Sequence, residues 1–320
     1  MNQVASRLFK QVRLFSNLAV IFALVVSILF TGVINSADLS WQVVLSVIAL
    51  ALGIPHGAVD HLITIPRNSK TRFILFIAGY VAIAILAVIA ILQWNVVGFE
   101  VVVWMSALHF GFGDASFIAE SDRLEGKATV PKFLEVFYAL SAGSLPVIIP
   151  LVQKKSSSAL GKVNSSLVNW AGNYTSTLKY LVLGITLLAL LMLTSHKRYR
   201  EVIDLIALAA LALIAPPLVT FAFYFGCWHA IRHTARLTLL LPKSIQATDS
   251  GNGIKSFIQA IIPGIPALVG TVLVGISLAI FNKSGFSSSL LWSLLVVVWA
   301  LTVPHMMATA NLDKKALAFN

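Results

Sequence analysis

Six of the seven histidines in this 320-residue chain lie inside otherwise apolar stretches, and they fall in four short blocks. These are PHGAVDH (Pro55–His61), HFGFGD (His109–Asp114), WHAIRH (Trp228–His233) and VPHMM (Val303–Met307); only His196 sits in a polar connection, as a surface residue would. An imidazole buried in hydrocarbon without a partner costs on the order of several kcal/mol. Ionisable groups there mark function by default. His229 and His233 are four residues apart and share one helix face, a spacing that lets two imidazoles grip one ion. The chemistry indicated is a metal centre of neutral imidazoles, a donor set that suits iron and zinc alike.

Two carboxylates accompany the histidines. Asp60 follows His56 by four residues and Asp114 follows His109 by five. One reading makes each the acceptor for the free ring N–H of a ligand histidine, fixing its tautomer. A second makes Asp60 a direct ligand beside the imidazoles. A third pairs each carboxylate with a nearby arginine. Gly53, Gly57, Gly111, Gly113 and Gly226 crowd the same blocks and allow close helix approach. Trp104, Phe110, Phe112, Phe225 and Trp228 are candidates to line a substrate space, or else to pack ordinarily. Arg232 reads as a side chain snorkelling to the interface.

Positioning these residues falls to apolar runs of membrane-spanning length. Ten are expected, at about 17–34, 41–63, 72–93, 99–118, 133–152, 178–194, 201–215, 218–241, 257–281 and 289–309, the seventh ending at the helix-breaking Pro216-Pro217. With both termini cytoplasmic, 18 of the 23 Lys and Arg residues fall inside; Lys154, Lys155, Lys162, Lys179 and Lys283 fall outside. The histidine blocks lie on the second, fourth, eighth and tenth spans, which then all run inward. At a rise of about 1.5 Å per residue, His109 and His229 lie roughly 15–17 Å below the outer ends and His56 and His305 roughly 23–24 Å. All can meet in one layer.

Composition gives the same architecture. The chain is 58% hydrophobic and only 11% charged, with mean hydropathy +0.90. A soluble domain is about 25% charged. The whole chain, 1–320, is therefore expected to be a single all-α polytopic bundle solvated by lipid, multi-pass in the inner (plasma) membrane. Residues 1–15 read as a basic segment lying on the cytoplasmic surface. Residues 153–177, rich in Ser and Asn, read as a mobile or surface-lying outer loop. The net charge of +11 comes from loops facing anionic lipid, so nucleic acid is not an expected partner. Cys227, the one cysteine, leaves no intrachain disulfide to make.

The four blocks, in their order and spacing, resemble the bacteriorhodopsin-related-protein-like (Brp/Blh) family of β-carotene 15,15′-dioxygenases, VPHMM more weakly than the others. The resemblance implies a polytopic membrane enzyme that splits β-carotene at its central double bond with Fe(2+) and O2, releasing two retinal molecules. It implies iron ligands at His56, His109, His229 and His233. His61 and His305, with Asp60 and Asp114, come next as residues around the metal. A functional link to a retinal-binding rhodopsin follows from the product. Iron over zinc rests on the resemblance alone.

Other classes fit less well. A di-iron desaturase needs about eight clustered histidines. A haem bundle leaves His233 without a task. A transporter or proton channel using the histidines as a relay, without catalytic metal, is the alternative of a different class.

Overall fold

The computed structural model describes residues 2–30, 40–65, 69–128, 130–154, 160–161, 163–281 and 286–318. Arg67, Lys155, Lys162 and Lys283, used in the charge reading, lie outside the described residues. The described chain is helical in all ten expected runs. In chain order the helices are α1 (Asn2–Leu29), α2 (Ser40–Gly57), α3 (Asp60–Thr64), α4 (Lys70–Gln93), α5 (Asn95–Leu124), α6 (Lys132–Leu151), α7 (Thr175–Ser195) and α8 (Tyr199–Ile214). They continue as α9 (Pro217–Ala222), a π-helical stretch Phe223–His229, α10 (Ala230–Leu237), α11 (Pro242–Asp249), α12 (Gly253–Ile261), α13 (Ile265–Phe281) and α14 (Phe286–Ala318).

Eight helices among the described residues are long and apolar enough to cross a membrane. In lipid each backbone polar group needs an internal partner, which a continuous helix supplies. The seventh and eighth expected spans are the two that fall outside this set. Helix α8 has 16 residues, below the roughly 20 needed to span. The stretch from Pro217 to Leu237 is buried within the bundle and carries Arg232 and Arg236. Pro217 opens it at the first helical position, where the missing N–H costs nothing.

The layers follow from side-chain exposure. Helix α4 and α13 turn Ile74, Leu75, Leu86, Val269 and Leu273 outward, as lipid-facing helices do. Helix α6 is the most enclosed of those eight and packs on α5, α7 and α8. Its crossing with α5 is tight because Gly111 faces the Ala139 carbonyl and Gly143 faces the Ala107 carbonyl; a Cβ on either glycine would strike backbone.

Two segments differ from expectation. Residues 2–15 are not a separate surface segment: α1 has no break there, and Ala5, Leu8, Phe9, Val12 and Arg13 are buried. The apolar stripe ahead of the first span suits a bundle interior as well as a headgroup layer. The described part of 153–177 is packed too. Leu160, Leu167 and Trp170 are buried, and Trp170 Nε1 donates to the Leu151 carbonyl at 3.3 Å; residues 155–159 and 162 lie outside the described residues.

Candidate functional site

Helix α2 delivers His56 one residue after Pro55, near its C-terminal end. The helix stops at Gly57, turns through Ala58 and the buried Val59, and restarts as α3 at Asp60. Helix α5 delivers His109 from mid-length and α14 delivers His305 beside Pro304. The π-helical stretch ends on His229, and His233 follows one turn later in α10. A π turn widens a helix by one residue and recurs at functional sites. Here it packs on α2, where Gly226 stands against Ala49.

These five histidines are all buried, at 2–6% exposure, and their rings converge. Centroids lie 5.2 Å apart for His56–His229, 5.1 Å for both His56–His233 and His109–His229, and 4.9 Å for His109–His305. His56–His305 is 5.4 Å and His233–His305 is 5.7 Å. Six ring nitrogens have no hydrogen-bond partner among the described residues: His56 Nδ1, His109 Nε2, His229 Nε2, both nitrogens of His233, and His305 Nε2. Among the described residues no three His, Cys, Asp or Glu side chains are drawn close enough to hold an ion as they stand. The donor chemistry nevertheless fits a divalent metal: buried, unpartnered imidazole nitrogens whose rings converge from α2, α5, the Phe223–Leu237 helix and α14.

The carboxylates divide. Asp60, expected beside His56, begins a new helix after the turn, so the two do not share a face as a continuous helix would place them. It accepts instead from His305 Nδ1, at 2.9 Å to Oδ2 and 3.1 Å to Oδ1, and from the Tyr80 hydroxyl at 3.3 Å. Asp114 does not serve His109. It accepts from Arg232 Nη1 at 2.6 Å and from the Tyr138 hydroxyl at 2.5 Å. Arg232 does not snorkel either; it is 1% exposed, with its guanidinium 3.5 Å above the Trp228 ring. His61 stands apart from the five and packs edge-on against Phe73 at 5.7 Å. His196 is on the surface, as expected, with Nδ1 2.9 Å from the Met192 carbonyl.

The protein-family comparison matches the β-carotene 15,15′-dioxygenase model over residues 45–313, a stretch that contains every histidine block. The chain belongs to the β-carotene 15,15′-dioxygenase family. A curated β-carotene 15,15′-dioxygenase from an uncultured marine bacterium (66A03) is 29% identical over 265 residues, covering 80% of this chain and 88% of that protein. No solved structure matches. Membership in a family of oxidoreductases sets aside the relay transporter.

In this dioxygenase-family member one apolar cavity adjoins the histidines and a second adjoins the first. One of about 180 Å³ is floored by His56, His109, His229 and His305 and walled by Phe76, Phe110, Phe225 and Val298. The second, about 150 Å³, shares Phe110, Phe225, Val298 and Thr302 with the first and extends to Leu160, Val163 and Leu167. A third, about 560 Å³, reaches His109 from another side, past Phe112, Met306 and the charged Lys132, Glu135, Asp313 and Lys314. Of the five aromatic candidates, Phe110 and Phe225 line the first two cavities and Phe112 the third. Trp104 faces outward and is 43% exposed, and Trp228 is wholly buried beneath Arg232. Sequence reading missed Tyr80, whose hydroxyl ties Asp60 to the Leu301 carbonyl. A lone tyrosine in the apolar α4 run was its only signal.

Proposed function

We propose that this protein cleaves β-carotene at its central 15,15′ double bond, with ferrous iron and O2, to give two molecules of retinal. The observation that carries the reading is the group of buried, unpartnered imidazole nitrogens beside apolar cavities, in a chain whose family and relative bear that activity's name. His56, His109, His229 and His233 would hold the metal. Bound there, ferrous iron supplies the activation of O2 that no organic side chain provides. The overall reaction balances without an added reductant: the C=C bond breaks, and the two oxygens of O2 become the two aldehyde oxygens.

The chain's own residues contribute binding, orientation and exclusion of water. β-Carotene has no polar handle, so its recognition rests on apolar area and shape. Phe110 and Phe225 provide both where the two apolar cavities meet. Phe110 lies 4.4 Å from the His229 ring, which sets a substrate in that space directly against the imidazoles. Their unpartnered ring nitrogens are the atoms available as donors. No side chain is needed as general base or covalent nucleophile.

The setting proposed is the inner membrane, where a lipid-soluble carotenoid and O2 reach the bundle from the bilayer. A retinal-binding rhodopsin is the natural consumer of the product. The test is expression in a β-carotene-producing bacterium with adequate iron. Loss of the orange pigment and formation of retinal are expected; persistent pigment with no retinal, despite good membrane expression, overturns the reading.

A further inference from the structure

We propose that His305 is a fifth metal-facing imidazole, held in place by Asp60 and Tyr80; this rests on the iron reading above and extends its ligand set. Its ring lies among the other four, 4.9 Å from His109, 5.4 Å from His56 and 5.7 Å from His233. It is 6% exposed, and its Nε2 has no partner among the described residues. Its other nitrogen is fully engaged. A carboxylate only accepts, so the Asp60 contacts at 2.9 and 3.1 Å assign the proton to Nδ1. With the proton on Nδ1, the lone pair of a neutral ring falls on Nε2, the nitrogen left without a partner among the described residues. This is the carboxylate–histidine arrangement that fixes tautomer and orientation in metal sites.

Asp60 is itself fixed. The Tyr80 hydroxyl lies 3.3 Å from Asp60 Oδ2 and 3.3 Å from the Leu301 carbonyl one turn before His305. Helices α3, α4 and α14 are thereby tied at one point. Gly57 completes the fit: a Cβ there would come within 3.3 Å of His305 Nδ1. Among the five rings, His305 is the one whose hydrogen bond to a carboxylate sets its tautomer.

The experiment reconstitutes detergent-purified wild type, His305→Ala, His305→Gln, Asp60→Asn and Tyr80→Phe with Fe(2+) and, separately, with Co(2+). Metal stoichiometry, dissociation constant and the cobalt visible absorption are read, and the melting temperature of each metal-free protein reports folding. Wild type should bind one ion. Both His305 variants should bind 10- to 100-fold more weakly with altered cobalt bands, since one nitrogen donor is gone. Asp60→Asn should shift the same bands with a smaller loss of affinity, and Tyr80→Phe less again. A His305→Gln protein that folds and binds cobalt with wild-type affinity and spectrum overturns the fifth ligand and leaves the iron reading standing. Wild type that takes up neither metal overturns both.

Discussion

Two buried polar clusters share the helix Phe223–Leu237 on neighbouring sides, and they differ in how their hydrogen bonds close. On one face His229 and His233 meet His56, His109 and His305, and six ring nitrogens are left over. On the other face Arg232 donates to Ser16 at 2.9 Å, to Asp114 at 2.6 Å and to Asn17 at 3.4 Å. Arg13 of α1 joins through Asp204 at 2.8 Å and Glu201 at 2.9 Å, and Asn17 donates to Asp204 at 3.0 Å. The arginine cluster is satisfied from within and ties α1, α5, α8 and α10 together. The histidine cluster is unsatisfied from within, which is costly unless something else supplies the partners. On the proposed reading one is a structural joint and the other is a receptor for a ligand, although both are buried charges and imidazoles on a single turn of helix.

The sharpest way to break this contrast is at His229. His229→Ala should abolish retinal formation and metal uptake while leaving the metal-free protein folded, because the side chain removed has an unpartnered nitrogen rather than a shared bond. Retinal yield and iron content per protein check the first part, and detergent melting of the metal-free protein checks the second. His56→Ala, His109→Ala and His233→Ala should behave alike. A metal-free His229→Ala protein that no longer folds would mean that the imidazoles, too, are a structural joint.

Asp204→Ala tests the arginine cluster. It leaves Arg13 and Arg232 buried with their shared acceptor gone. Breaking a buried pair by removing one partner costs about 3–5 kcal/mol. The expected result is a large fall in melting temperature, of similar size with and without iron. A loss seen only in the metal-loaded protein would place Asp204 with the histidine site instead.

Gly111→Ala should come next in size. The α5–α6 crossing admits no Cβ there without moving the Ala139 backbone, and overpacking of that kind costs about 1–3 kcal/mol. Because α5 carries both His109 and Asp114, the shift should lower stability and activity together, and thermal melting alongside retinal yield would show it.

The histidine centre was largely legible in the sequence, and the arginine joint was not. Imidazoles in apolar runs are rare enough to stand out, and co-directional spans let their depths be compared one by one. His305 came second to the four expected ligands, in the block that carries the resemblance most weakly, and nothing local in the sequence pairs its ring with Asp60. The readings for the two carboxylates part company: Asp60 accepts a ring N–H, as the first had it, but from His305, and Asp114 pairs with an arginine, as the third had it. Local spacing favoured His56 and His109, but the turn at Ala58-Val59 breaks the helix that would have aligned Asp60 with His56. Asp114 answers to an arginine 118 residues away. Arg232 looked like an interfacial side chain because its acceptors are remote in sequence, on α5, α1 and α8, the last the weakest of the ten expected spans. Two carboxylates in that short run, Glu201 and Asp204, are the signal that a buried cation needed them.

The smallest expected effects belong to His61 and His196, and the first of them separates motif from site. His61 belongs to the PHGAVDH block and borders the apolar cavity, so a reading by motif alone would give it the metal. Its ring instead packs edge-on against Phe73, and α3, which carries it, already contributes Asp60 to the cluster through His305. His61→Ala should therefore leave iron stoichiometry at the wild-type level and change retinal yield by no more than a few-fold, through the cavity wall. His196→Ala, on the surface, should change neither, with stability within about 0.5 kcal/mol. If His61→Ala lost its iron while His305→Gln kept it, the fifth imidazole would come from α3 rather than α14, and the Asp60 contact would be a helix tie like that of Asp114.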